Sequence, residues 1–237
     1  WLPFAWFMII LVKKIIPGED PVDEKALKFI SYTVINSPSI AVDLSTRELA
    51  RMTDMASVMT NDVRKMILGE FNEDDIEEMV AKENGLDYLE NEIVKYLSSL
   101  ISRNTLTEKE SSKVAGLMHA ANDIERIGDH CMNIANAAVD LKLQKIEFSK
   151  SARAELEEAF EIVSKMVNDS ISALRDTNIV LAESIVSQEN VMDKLEEKVR
   201  IRHFQRLDAG TCNPQATVIF LEIFHTMERI SDHCKNI

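Results

Sequence analysis

The sequence predicts an all-α protein made of two tandem antiparallel three-helix bundles, and three observations predict it. Gly and Pro are scarce, six and five in 237 residues, so turns are few and elements long. Apolar residues recur at helical spacing, as in Leu86, Leu89, Ile93, Tyr96, Leu97 and Leu100, and no strand alternation stands out. The chain also repeats itself. Residues 122–134 read NDIERIGDHCMNI and residues 225–237 read HTMERISDHCKNI; from Glu125 and Glu228 onward, eight of ten positions are identical. Two weaker pairs precede them in the same order. Glu83-Asn-Gly-Leu-Asp87 matches Glu189-Asn-Val-Met-Asp193, and Met59-Thr-Asn-Asp62 matches Met166-Val-Asn-Asp169, at offsets of 106 and 107 residues against 103 for the first pair.

The duplication divides the chain. Residues 45–145 and 146–237 are the two bundle repeats, residues 17–44 a connector, and residues 1–16 a segment of different character. In that segment residues 1–12 are unbroken apolar sequence, followed by Lys13-Lys14 and Pro17-Gly18. Twelve residues are short of the roughly 20 that span a bilayer. Two readings stay open, a buried hydrophobic segment or the trailing end of a transmembrane helix. The Trp1/Trp6 pair and the Lys-Lys flank favour the second, with the cytoplasm on the side of the repeats. The connector holds three prolines and a short amphipathic piece around 25–32.

Six long helices follow. The first covers 45–68, opened by a capping box of Ser45 and Glu48 and closed by Gly69. The second, 72–103, opens on an acidic turn that favours the helix dipole. The third, 107–143, has a second capping box, Thr107 and Glu110. The fourth, 151–176, starts at Ser151, capped by Glu155 or water, and the fifth covers 178–207. Asn213-Pro214 starts the last, since Pro suits the first helical position.

Composition narrows the function. A net charge of −13 repels phosphate backbones, so nucleic acid is no partner; it suits cations or a basic protein. Three cysteines without paired spacing argue against a disulfide framework and for a reducing compartment, and the absence of C-x-x-C argues against a zinc ribbon.

What the copies share most plainly is a Glu and an Asp four residues apart, used twice in each. Glu83 with Asp87, Glu125 with Asp129, Glu189 with Asp193 and Glu228 with Asp232 each place two carboxylates one turn apart on one helix face. Each like-charge pair costs a helix about 0.2–0.5 kcal/mol. Pairing two such helices costs more, so something must neutralise the faces. A cation is the simplest candidate, and hard oxygen ligands suit Mg, Ca, Mn or Fe rather than Cu(I). Arg126 and Arg229 are equivalent and could help, and Asn122, Asn133, Asn136 and Asn236 extend the same faces. Forty acidic residues in 237 make such pairs common as mere solvated surface. These four, however, stay alike between copies that have diverged widely elsewhere.

Other candidates carry less. Asp62 and Asp169 could add a first-helix ligand to each site, against a plain surface role. His130 and His233 sit about 100° off the carboxylate face, which reads as a hydrogen bond at a helix–helix seam. Cys131 and Cys234 read as small core residues. Glu222-Ile-Phe-His225 has the E-x-x-H spacing of di-iron carboxylate bundles, but the first copy has His119 and Asn122 at those places. No Walker loop, dinucleotide fingerprint or nucleophile motif is present.

Glu125-Arg-Ile-Gly-Asp129-His130 with Asn133-Ile134, and Glu228-Arg-Ile-Ser-Asp232-His233 with Asn236-Ile237, resemble the signature of the PhoU family over about residues 47–237. The resemblance implies two tandem three-helix bundles. It also implies a regulator of phosphate uptake and signalling rather than an enzyme. Carried over residue by residue, it implies metal ions, as multinuclear Fe, Zn or Mn clusters, at Glu83, Asp87, Glu125, Asp129, Glu189, Asp193, Glu228 and Asp232. Ser231 in place of Gly128, and Gly85 inside an acidic pair, depart from the pattern.

The apolar start, Lys-Lys, Pro-Gly and Ser37-Pro38-Ser39-Ile40-Ala41 further resemble the join in bacterial Na/phosphate cotransporters, which carry a PhoU-like domain after their last membrane helix. That resemblance implies a regulatory domain on the cytoplasmic side of the cell membrane. Its partners would be the transmembrane part of its own transporter, a phosphate-sensing protein, or a second copy of itself. Metal-dependent ordering of helix pairs would reach the membrane through the connector. The alternatives are a soluble PhoU-type regulator acting in trans and, distantly, a di-iron carboxylate enzyme.

Overall fold

The computed structural model describes residues 26–69, 71–103 and 105–237. A short 3₁₀ turn, Tyr32–Val34, leads into six helices: α1 (Pro38–Leu68), α2 (Glu73–Arg103), α3 (Glu108–Gln144), α4 (Lys150–Asp176), α5 (Ile179–Asp208) and α6 (Pro214–Asn236). Among the described residues there is no strand, as the sequence predicts. The expected membrane-helix end, residues 1–16, lies outside the described residues. No helix within them is long and apolar enough to cross a membrane.

Helix ends follow local chemistry. Thr107 and Glu110 form the expected capping box at α3. Asn178 and Asn213 cap α5 and α6 through their side-chain oxygens, with Pro214 in the first turn. Two expected starts differ. α1 begins at Pro38, behind Ser37, so Ser45 is an interior residue whose Oγ donates to the Ala41 carbonyl at 2.8 Å. Proline needs no N–H partner in a first turn, and that lets the connector turn helical ahead of 45. At α4 the cap is Ser149, whose hydroxyl accepts from the Ala152 N–H at 3.3 Å, not Ser151.

Glu48 and Glu155, read as capping residues, are buried carboxylates at equivalent places in the two copies. Glu48 Oε2 accepts from the backbone N–H of Lys28, Phe29 and Ile30 at 2.9, 2.7 and 3.3 Å, and Oε1 accepts from Arg51 Nε at 2.7 Å. The connector is thereby fastened to α1. Glu155 takes both arms of Arg206 at 3.0 and 2.7 Å. These six N–H donors onto two buried carboxylates compensate much of their desolvation.

α1, α2 and α3 form one antiparallel bundle and α4, α5 and α6 the other. α1 packs on α4 and α3 on α6, so four helices share the centre while α2 and α5 lie outboard. Burial follows suit. α5 buries a narrow stripe, Ile185, Glu189, Met192, Leu195, Val199 and His203, whereas α1 and α3 bury wider faces. One apolar cluster runs through both copies, from Leu49, Met52 and Met59 of α1 to Phe160, Phe220 and Phe224 of the second bundle. Burying this surface is the main stabilising contribution, about 25 cal/mol per Å² of apolar area. The seam between copies adds polar ties: Ser57 Oγ donates to Asn168 Oδ1 at 2.8 Å, and Arg64 pairs with Glu157.

Candidate functional site

The first carboxylate face is built where α2 and α3 run side by side. Glu83 and Asp87 come from α2, and Glu125 and Asp129 from α3. Two glycines let α2 approach its neighbours closely, Gly85 towards α1 and Gly128 on the α3 side. Gly85 is buried and lies close to Met55 Cε of α1, and Gly128 lies against Leu86. Gly85 therefore serves packing, and α2 runs through it without a break. Oxygens of Glu83, Asp87 and Asp129 lie within 4.8 Å of one another, the one such trio of acidic, His or Cys ligand atoms among the described residues.

Crowding shows in proton affinity. Burial, then the charges of Asp129 and Asp87, push the Glu125 carboxyl up to about 7. Burial and neighbouring carboxylates also raise Glu83, Asp129 and Glu90 above the usual range. The charges of Glu125, Asp129 and Asp87 thus act on one another across the α2–α3 seam, and proton uptake relieves part of that repulsion. Glu90, which the repeat pattern pairs with Glu196, belongs to this group.

The second face is the equivalent seam of α5 and α6, with Glu189, Asp193, Glu228 and Asp232. Burial and neighbouring carboxylates raise Asp193 and Glu228. On this face, unlike the first, a lysine meets a carboxylate: Lys235 Nζ lies 2.6 Å from Glu189 Oε1. Met132 holds the matching place in the first copy.

The remaining candidates go elsewhere. Asp62 accepts from Lys82 and Lys65 at 2.9 and 3.1 Å, and Asp169 from Gln188 at 2.8 Å and from Lys165, so both are committed away from the faces. Asn122, Asn133 and Asn136 are exposed, and Asn236 donates to Asp123 across the seam between copies. His130 and His233 meet at that same seam, as expected, with ring centroids 5.3 Å apart. His233 Nδ1 is 2.8 Å from Asp123 Oδ1. Burial and the nearby His233 push His130 down to about 4. Cys131 and Cys234 are core residues whose thiols burial pushes up to about 12. Glu222 and His225 are exposed rather than inside a bundle, and His225 faces Glu228 at 3.5 Å.

The PhoU domain model matches residues 49–138 and 156–237. The chain belongs to the PhoU family. The two matched stretches are the two bundles, each ending at or near an E-x-x-x-D face. Relatives include a phosphate-specific transport system accessory protein, PhoU homolog 1, from Thermotoga maritima, 26% identical over 80% of this chain and 81% of its own. A putative inorganic phosphate export protein, YjbB, from Salmonella typhimurium is 22% identical over 87% of this chain but only 38% of its own. In fold, the PhoU domain is similar to the crystal structure of PhoU from Pseudomonas aeruginosa, with a TM-score of 0.73 at 19% identity, covering 81% of this chain and 90% of that one.

Proposed function

We propose that this PhoU-family chain regulates phosphate transport by docking on a transporter in trans. The observation that carries this reading is coverage. The Thermotoga accessory protein aligns over four-fifths of both chains, so the two bundles make up most of such a protein. The test is phosphate uptake in cells with and without the gene, at high and low external phosphate. Uptake that stays high in phosphate-replete cells lacking the chain supports the reading; identical uptake in both strains refutes it.

A second reading, a regulatory domain in one chain with a phosphate transporter, of which a Na/phosphate cotransporter is one form, draws on the alignment with the putative phosphate exporter YjbB, which takes in 87% of this chain as a minor part of a longer one. Fractionation of the native full-length protein separates the two. Recovery in the washed membrane pellet as a longer chain supports fusion, and recovery in the supernatant supports action in trans.

In either setting the first face is the better fitted to a cation. Glu83, Asp87 and Asp129 offer only oxygens, which suits a hard divalent ion. Such an ion would supply counter-charge between α2 and α3. The protein's own part is to hold the carboxylates at that spacing and to release the Glu125 proton as the ion enters. Metal analysis of chelator-free protein, beside a variant with Glu125 and Asp129 changed to Ala, tests this. Metal lost in the variant supports it, and equal metal in both refutes it.

A further inference from the structure

We infer that the two carboxylate faces are not equivalent: Lys235 is a built-in counter-ion that closes the second face to metal and leaves metal binding to the first. This rests on the reading of the first face as a cation site. Three observations carry it. Lys235 Nζ sits 2.6 Å from Glu189 Oε1, and the Glu189 side chain is only 8% exposed, so the ammonium seats on a buried carboxylate. At the matching place the first copy has Met132, which packs against the apolar core. Only the first face draws three ligand oxygens within 4.8 Å among the described residues.

The other cations are less firmly seated than Lys235. Arg126 is exposed and acts on Glu125 and Asp129 through its charge, Arg229 is exposed at the equivalent place, and His225 faces Glu228 at 3.5 Å. Lys82 is turned to Asp62 and Glu78 instead. A divalent ion entering the second face would have to meet an ammonium among its ligands and strip Glu189 of its partner. Both steps oppose binding in a partly buried site.

The experiment uses the full chain, stripped with chelator and reloaded with Mn(II), with bound metal counted by mass spectrometry. Wild-type protein should lose its Mn(II) when Asp87 and Asp129 are changed to Asn, and keep it when Asp193 and Asp232 are. Lys235→Met should gain at least one further Mn(II) per chain, and Lys235→Arg should gain none. Met132→Lys should lose the first-face metal. If changing Asp193 and Asp232 removes metal from the wild type, the second face loads despite Lys235 and the inference falls. If wild type holds no Mn(II), the reading of the first face falls. Melting of metal-free protein then decides the lysine's role alone. Lys235→Met should melt about 2–4 °C lower and Met132→Lys higher; no change in either overturns the counter-ion assignment.

Discussion

Leu86 Cδ1 lies 2.5 Å from where a Cβ on Gly128 would stand, so α2 and α3 approach as closely as they do only because residue 128 has no side chain. Leu86 is the residue before Asp87, and Gly128 the residue before Asp129. The second copy meets the same demand differently, with Ser231 and Met192 at the matching places. Gly128→Ser should therefore cost about 1–3 kcal/mol by overpacking. Adding Leu86→Met, whose side chain bends more freely, should recover part of that loss. Urea unfolding of the single and double variants measures both terms.

Proton affinity on the first face sets a pH dependence. The Glu125 carboxyl titrates at about 7 in the fold against 4.5 unfolded. A group raised in the fold stabilises it while protonated, so this contribution declines as pH rises from about 4.5 through 7. Burial of His130, which titrates at about 4 against 6.5, works the other way and removes stability as pH falls below 6.5. Metal-free Glu125→Gln isolates the first effect. Its melting temperature should gain on the wild type as pH goes from 5 to 8, and a constant difference would refute the assignment.

Asp123 anchors the seam between copies by accepting from His233 and Asn236. Asp123→Ala should cost about 1–2 kcal/mol. It should also speed amide exchange along the facing parts of α3 and α6 more than in α2 or α5. Uniform exchange across all six helices would count against a seam-specific role.

Glu48 holds three consecutive amides of the connector. Glu48→Gln keeps the shape of the side chain but removes the charge that makes those bonds strong. The N–H groups of Lys28, Phe29 and Ile30 should then exchange with solvent faster, while those in the middle of α3 do not. Unchanged protection at 28–30 would show that packing of Ile30 and Ile35 alone fixes the connector.

The fold was legible because its signals are local. Scarce turns, helical apolar spacing and the Thr107, Asn178 and Asn213 caps each act within a few residues. The four Glu/Asp pairs were legible too, since a duplicated i,i+4 pattern survives without any knowledge of packing, but which pair faces which was not: that Glu83 and Asp87 meet Asp129 comes from the packing of α2 on α3. What escaped were partners distant in sequence. Glu48 and Glu155 looked like capping residues because their true partners, the connector amides and Arg206, are 18 or more residues away. Yet the 107-residue offset superposes the two glutamates and could have marked them as a repeated feature. Lys235 was visible as a mismatch with Met132, but only the turn of α6 onto α5 shows that it reaches Glu189.

The continuous core across α1, α3, α4 and α6 has a mechanical consequence. The repeat boundary near residue 145 is a boundary of ancestry, not a hinge. Opening it would expose a full set of apolar contacts along α1 and α4 at once. The central four helices thus act as a keel, and the freedom left to the molecule belongs to α2 and α5, which pack chiefly against their own bundles. Each outboard helix meets the keel along a seam lined with carboxylates. Charge placed in or withdrawn from those seams would trim one outrigger at a time while the hull keeps its shape.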